Sequence, residues 1–207
     1  MKKLVALSRY FCYDALAGRT VYPRPHEEEH PLKPELPRIA RFEKVSIGQF
    51  REAAMKSFPD LDAGAVSAAY EDIALPRRAT AGSSGYDIRT PFTFTLKPGE
   101  DIVIPTGIRA WIAPGWWLML MPRSGLGFKF YTRLANTVGN IDSDYYGADN
   151  EGHIMVKLRM ELDRSGAPRT FEAGTAVCQG VFVPFGVTED DDATEKRTGG
   201  FGSTGRV

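Results

Sequence analysis

The chain has 207 residues, 43% of them hydrophobic and 11% aromatic, which is enough for one sizeable core and too apolar for a disordered chain. Its 26 Lys and Arg balance its 26 Asp and Glu, arguing against general nucleic-acid or membrane-surface binding, both of which want a basic excess. Two cysteines, Cys12 and Cys178, are too few for a disulfide framework and point to a reducing compartment.

Residues 1–22 have no clear period, although Leu4, Val5 and Leu7 can begin a strand. The apolar run before Arg9 is too short for a secretory signal. Residues 23–37 carry five prolines around His26-Glu27-Glu28-Glu29-His30 and read as a semi-rigid linker. Two histidines at this spacing share a face only on a helix, and Pro25 and Pro31 oppose one, so a solvated charge cluster is expected.

From Arg38 a strand-like run (Ile39, Phe42, Val45) leads to Ser46, an N-cap, after which Ile47, Phe50, Ala54 and Phe58 recur at helical spacing. A second helix is expected over Val66, Ala69, Tyr70 and Ile73, closed by Pro76. Residues 38–75 are read as a small helical cap on the main domain or on a neighbour.

Beyond Pro76 the chain turns to β. Phe92 to Leu96 alternates, Lys97-Pro98-Gly99-Glu100 is a turn, and Ile102 to Ile104, Ile108 to Ile112 and Trp116 to Met121 are strands. Ile154 to Leu162 and Val177 to Phe185 continue the pattern, so a sandwich or barrel is expected. Trp111 to Met121 is the most apolar stretch, too short to span a bilayer and broken by Pro114-Gly115. A soluble, cytoplasmic chain is expected.

Five segments carry chemistry. Ala81-Gly82-Ser83-Ser84-Gly85-Tyr86-Asp87-Ile88 reads as a turn into a strand, with Asp87 as a cap or a functional carboxylate. Pro122-Arg123-Ser124-Gly125-Leu126-Gly127 follows an apolar strand, as an ordinary hairpin turn or a loop suited to phosphate oxygens. In Gly139-Asn140-Ile141-Asp142-Ser143-Asp144-Tyr145-Tyr146-Gly147 the two carboxylates point the same way if the segment is a strand. One of them can then act as general base; an ordinary acidic surface hairpin is the alternative. In Gly174 to Gly180 a single Gln179 breaks an apolar strand and must find partners, in the backbone or in a ligand. Cys178 beside it has no histidine nearby and is read as core. Finally Arg197-Thr198-Gly199-Gly200-Phe201-Gly202-Ser203-Thr204-Gly205 is too glycine-rich for a core element. It carries the groups needed to fold over an anionic ligand with a flat ring.

In this order and spacing the five segments resemble the five motifs of the trimeric dUTP nucleotidohydrolases (dUTPases), over about residues 76–207. Residues 38–76 and the insertion Asp149-Asn150-Glu151-Gly152-His153 are similar to a longer bacterial and phage subgroup of that family. The resemblance implies a mainly β, jelly-roll subunit and a homotrimer whose active sites are each assembled from all three chains. It implies Mg²⁺-dependent attack of water on the α-phosphorus of dUTP, giving dUMP and pyrophosphate, with no nucleic-acid or membrane partner. By motif matching, Asp142 would activate the water and meet the deoxyribose 3′-hydroxyl, and Tyr145 would pack under the sugar, leaving no room for a 2′-hydroxyl. Asn136 and the backbone of Val138, Gly139 and Ile141 would read uracil. Arg123, Ser124 and Gly125 would hold phosphate oxygens, with Gln179 at the α-phosphate or its metal shell. Asp87 would orient waters on the magnesium. In the tail, Phe201 would lie over uracil with Gly202 beside it, and Arg197, Ser203 and Thr204 would meet the terminal phosphate.

The implied organisation is an N-terminal extension and linker (1–37), a helical cap (38–75), a β domain (76–186), and an acidic connector with the closing tail (187–207). Extended, residues 186–197 span roughly 35 Å, enough to reach another subunit. Two other functions use the same resemblance. A dCTP deaminase of this fold needs a glutamate on the strand after the third motif, where Lys157 stands here, with Glu151 the nearest candidate. A non-catalytic dUTP-sensing regulator would use residues 1–75 to bind its partner.

Overall fold

The computed structural model describes residues 36–161, 167–195, 197 and 199, and the backbone of three strands between residues 5 and 21. The chain divides into two units, Met1–Arg38 and Ile39–Val207.

In the first unit, β1 (Val5–Ser8), β2 (Phe11–Asp14) and β3 (Arg19–Val21) form an antiparallel meander. Its strands are three or four residues long, and the register of β1 on β2 shifts between Ala6 and Ser8. Strands this short complete barely two alternations, which is why periodicity does not announce them. The linker with His26 and His30 lies outside the described residues.

The second unit begins as a strand. β4 (Ala40–Lys44) pairs antiparallel with β8 (Ile108–Ile112), so the segment read as a helical cap opens inside the β body. The outward-facing Glu43 lies directly opposite Arg109, and Phe42 turns inward against the rings of Tyr86 and Phe182. Helices α1 (Ile47–Ser57) and α2 (Ala63–Glu71) come next. Their starts obey the capping signals: the Ser46 and Asp62 side chains accept from the backbone N–H of Gln49 and Ala65. Phe50, Ala54 and Val66 turn to one side and form a second apolar cluster with Val45 and Phe92, where the Phe50 and Phe92 rings stack 5.7 Å apart. The cap therefore packs on its own chain.

The rest of the body is β5 (Tyr86–Arg89), β6 (Phe94–Leu96), β7 (Asp101–Pro105), β9 (Trp116–Pro122), β10 (Thr132–Leu134), β11 (Gly139–Ile141), β12 (Met155–Met160), β13 (Arg169–Phe171) and β14 (Ala176–Pro184). The sheets run β11-β9-β14-β5, β10-β12-β7, β13-β6 and β4-β8, all pairs antiparallel, in a jelly-roll-like arrangement. Alternation decides which residues are core: on β12, Val156, Leu158 and Met160 are buried while Lys157 is exposed and pairs with Asp101 at 3.3 Å. No described helix is long and apolar enough to cross a membrane.

One buried polar group couples this packing to pH. His153 is fully buried, and its Nε2 accepts the backbone N–H of Gly107 at 2.9 Å, a contact that requires that nitrogen to be unprotonated. Burial pushes its pKa down to about 4, against a smaller opposing pull from the Glu151 carboxylate. Between pH 6.5 and 4 the unfolded chain binds a proton that the folded chain refuses. Stability should therefore be constant above pH 6.5, fall by roughly 3 kcal/mol as pH drops to 4, and level off below. Denaturant unfolding of wild type and His153→Gln across this range measures it; an equal slope in both would remove His153 as the cause.

Candidate active site

Two clusters of the expected residues form on one sheet. The first surrounds a cleft of 240 Å³ bordered by Asn136, Asn140, Asp142, Tyr145 and Arg197, with Leu120 among its lining residues. Its organising element is β11. This strand pairs with β9 along one edge only, Gly139 opposite Leu120 and Ile141 opposite Leu118, and is an end strand of its sheet. An edge strand keeps backbone donors and acceptors available, and a flat ring with hydrogen-bonding edges can pair with them. The turn before it is tight: the N–H groups of Thr137 and Val138 donate to Leu134 and Asn136 carbonyls, with Thr137 at φ 65°.

Beyond Ile141 the chain leaves the strand, so the condition under which the two carboxylates share one strand face is not met. Residues Ser143–Gly147 form a 3-10 helix with Asp142 as its N-cap. The two carboxylates nonetheless face one partner. Arg197 donates through Nη2 to Asp142 Oδ2 and through Nε to Asp144 Oδ1, the latter at 3.0 Å. The other oxygen of Asp142, Oδ1, accepts from Asn140 Nδ2 at 3.0 Å. Asn140 was not among the expected site residues. Its signal in the sequence is a polar side chain two positions before the carboxylate, on the same face of a strand.

Tyr145 is buried beside these groups. Its hydroxyl donates to the His153 carbonyl at 2.9 Å and accepts from Asn150 Nδ2 at 2.7 Å. Burial raises its pKa, so the phenol stays neutral. The turn that receives it is close-packed: Gly152 has φ +68°, and a Cβ there would lie 2.6 Å from the Tyr145 carbonyl oxygen.

The second cluster is built where β5, β14 and the end of β9 come together. Asp87 on β5 lies directly across from Gln179 on β14, and its carboxylate meets Arg123 Nε at 3.2 Å and Arg89 at 4.0 Å. Gly85 lets the chain pass close to Gln179, since an added Cβ would stand 3.1 Å from its Oε1. The Arg123-Ser124-Gly125 segment is not a loop: helix α3 (Ser124–Phe130) begins there, with the Arg123 carbonyl accepting from Leu126 and Gly127. Buried Leu126 anchors it against the core, a tertiary contact that outweighs the low helix propensity of two glycines. Cys178 is core, its thiol pushed up to about 12 by burial first and by Asp87 second.

β5 and β11 are the two edges of one four-stranded sheet, so Asp87 lies three strand spacings from β11, about 14 Å across the sheet, while Gln179 on β14 and Arg123 at the end of β9 stand on strands nearer to it. The structure brings Asn136, Gly139, Ile141, Asp142, Tyr145 and Arg197 to one cluster, leaves Val138 exposed in the turn before β11 and outside the cleft lining, and brings Asp87, Arg123, Ser124, Gly125 and Gln179 to the other. Phe201, Gly202, Ser203 and Thr204 lie outside the described residues. Among the described residues no three His, Cys, Asp or Glu gather as a metal-binding group.

The family model for dUTPases matches residues 71–205. A deoxyuridine 5′-triphosphate nucleotidohydrolase of Lactococcus lactis is 45% identical over 136 residues, covering 64% of this chain and 89% of that protein. The crystal structure of a dUTPase from Streptococcus mutans superposes with a TM-score of 0.54 at 32% identity, over 72% of this chain and 98% of that one. A mutant dUTPase of the Staphylococcus aureus phage phi11, described as coordinating a structural Mg(II) ion, matches at a TM-score of 0.50 and 22% identity, over 60% of this chain and 92% of that one.

Proposed function

The chain belongs to the dUTPase family, and on that premise we propose that it hydrolyses dUTP to dUMP and pyrophosphate in sites shared between the chains of a homotrimer. The observation that carries the reading is the Asp142 carboxylate, oriented by Asn140, at the mouth of a cleft formed by an edge strand and a buried tyrosine. The backbone of Val138 to Ile141 and the side chain of Asn136 recognise the uracil edge. Tyr145, held by two hydrogen bonds, forms a rigid wall under the sugar that selects against a 2′-hydroxyl. Asp142 takes a proton from water as the oxygen attacks the α-phosphorus, and pyrophosphate leaves.

Arg123, with Ser124 and Gly125 at the start of α3, binds phosphate oxygens, and Gln179 reaches the α-phosphate. The shared-site trimer follows if the Arg123 cluster of one chain meets the Asp142 cluster of another. Asp87 and Gln179 offer oxygens suited to Mg²⁺, a hard cation that keeps several waters and takes its other ligands from triphosphate. When bound, the ion neutralises the charge on the phosphates. Phe201, Ser203 and Thr204 complete the closing tail over base and terminal phosphate.

The deaminase reading loses its acid. Lys157 is paired with Asp101, and both carboxylate oxygens of Glu151 are engaged by Ser46. The purified protein with Mg²⁺, offered dUTP, UTP, dTTP and dCTP in parallel, should release pyrophosphate from dUTP alone and no ammonia from dCTP. Ammonia release would revive the deaminase; dUTP binding without turnover would make the fold a sensor.

A further inference from the structure

The family match begins at residue 71, yet the strand and cap before it are tied to the active-site arm at two points. The first is Tyr146. Its hydroxyl donates to Glu43 Oε2 at 2.7 Å, and Arg109 lies over its ring at 4.3 Å. The same Glu43 carboxylate receives Arg109 at 3.1 Å and Arg41 at 2.6 Å. These contacts hold its pKa below the usual carboxylate range, the Tyr146 hydroxyl bond contributing most. Tyr146 is thus gripped through both ring and hydroxyl by residues of β4 and β8.

The second point is Glu151, whose two oxygens accept the Ser46 backbone N–H at 2.7 Å and its hydroxyl at 2.6 Å. Ser46 is the N-cap of α1, so Glu151 fills the place of a capping-box glutamate from 105 residues away. Glu151 stands in the turn whose Asn150 and His153 bind the Tyr145 hydroxyl.

The element between these ties is weak by itself. A five-residue 3-10 helix has poor internal hydrogen bonding, so its position depends on the contacts that hold its side chains. Tyr145 fixes it toward the 150–153 turn and Tyr146 toward β4, and Asp142 and Asp144 ride on it. We propose that Glu43 is a positioning residue for dUTP hydrolysis: through Tyr146 it sets the 3-10 helix, and with it Asp142 and the sugar-side wall of Tyr145. This rests on the assignment of Asp142 and Tyr145 made above.

The test compares Glu43→Ala, Tyr146→Phe, their double variant and Asp142→Asn with wild type, measuring kcat and KM for dUTP and UTP, and Tm. Tyr146→Phe keeps the ring beneath Arg109 and removes only the hydroxyl, so it is the variant that stays folded if Glu43→Ala does not. Each single change should lower kcat on dUTP by about tenfold with little change in KM, because a displacement well under 1 Å suffices for such a loss. Selectivity for dUTP over UTP should narrow, and the double variant should be no worse than Glu43→Ala, which already removes the acceptor of the Tyr146 hydroxyl. A structural role alone would lower Tm and leave kcat and selectivity untouched at temperatures where the variants are folded. That result, with Asp142→Asn inactive, overturns the inference while leaving the site assignment standing. Turnover by Asp142→Asn would instead overturn the assignment on which it rests.

Discussion

Asp142→Asn is expected to reduce kcat for dUTP by about 10³-fold while dUTP binding changes only a few-fold, the signature of removing a general base and keeping its shape. The substitution is nearly isosteric, and Asn140 Nδ2 can still donate to the remaining carbonyl oxygen. The loss is of the oxygen that can take a proton, together with one half of the Arg197 pairing. Steady-state kinetics with calorimetric binding of a non-hydrolysable dUTP analogue separates the two effects. A variant that turned over at more than a tenth of the wild-type rate would make Asp144, two residues on and also bound to Arg197, the better candidate base.

Truncation after Glu195 should leave the fold and assembly intact and remove nearly all turnover, at least 10²-fold in kcat/KM. Residues 187–195 are exposed, so cutting the chain at their end takes nothing from the core. Arg197, by contrast, is a fork whose two arms reach both carboxylates of the third motif. Within one chain the acidic connector therefore brings the start of the tail to that chain's own Asp142. With a triphosphate bound, the guanidinium has a more highly charged partner, and the same fork can pass from carboxylate to phosphate. Size-exclusion chromatography and pyrophosphate release on the truncated chain test both halves. Full activity without the tail would end its role in closure.

Much of the site was legible because its chemistry is concentrated in short runs. Asp142, Tyr145 and Asn136 lie within ten positions on β11 and its two flanks, and they converge on one cleft. The cap helices were legible too, since Ser46 stands where an N-cap must and the apolar residues of both helices recur at helical spacing. Local rules failed where packing outweighed them. Arg123 to Gly127 has the composition of a loop, and buried Leu126 makes it the first turn of α3. Asp142 to Asp144 has the alternation of a strand, and the Tyr145 and Tyr146 hydroxyls wind it into a 3-10 helix.

By itself, then, the sequence determined which groups exist and which of them are neighbours on one element: the carboxylate, the tyrosine, the arginines, the strand faces and the helix starts. These follow from periodicity and capping, which act over a few residues. Only the tertiary structure decided which distant groups meet. Glu43 and Tyr146 are 103 residues apart, Ser46 and Glu151 are 105 apart, and Asp87 lies opposite Gln179 only because β5 pairs with β14. Antiparallel pairing between non-consecutive strands is selected by the burial of whole sheet faces, an energy that no single segment carries. That selection also puts β5, which carries Asp87, and β11, which leads into Asp142, at opposite edges of one sheet.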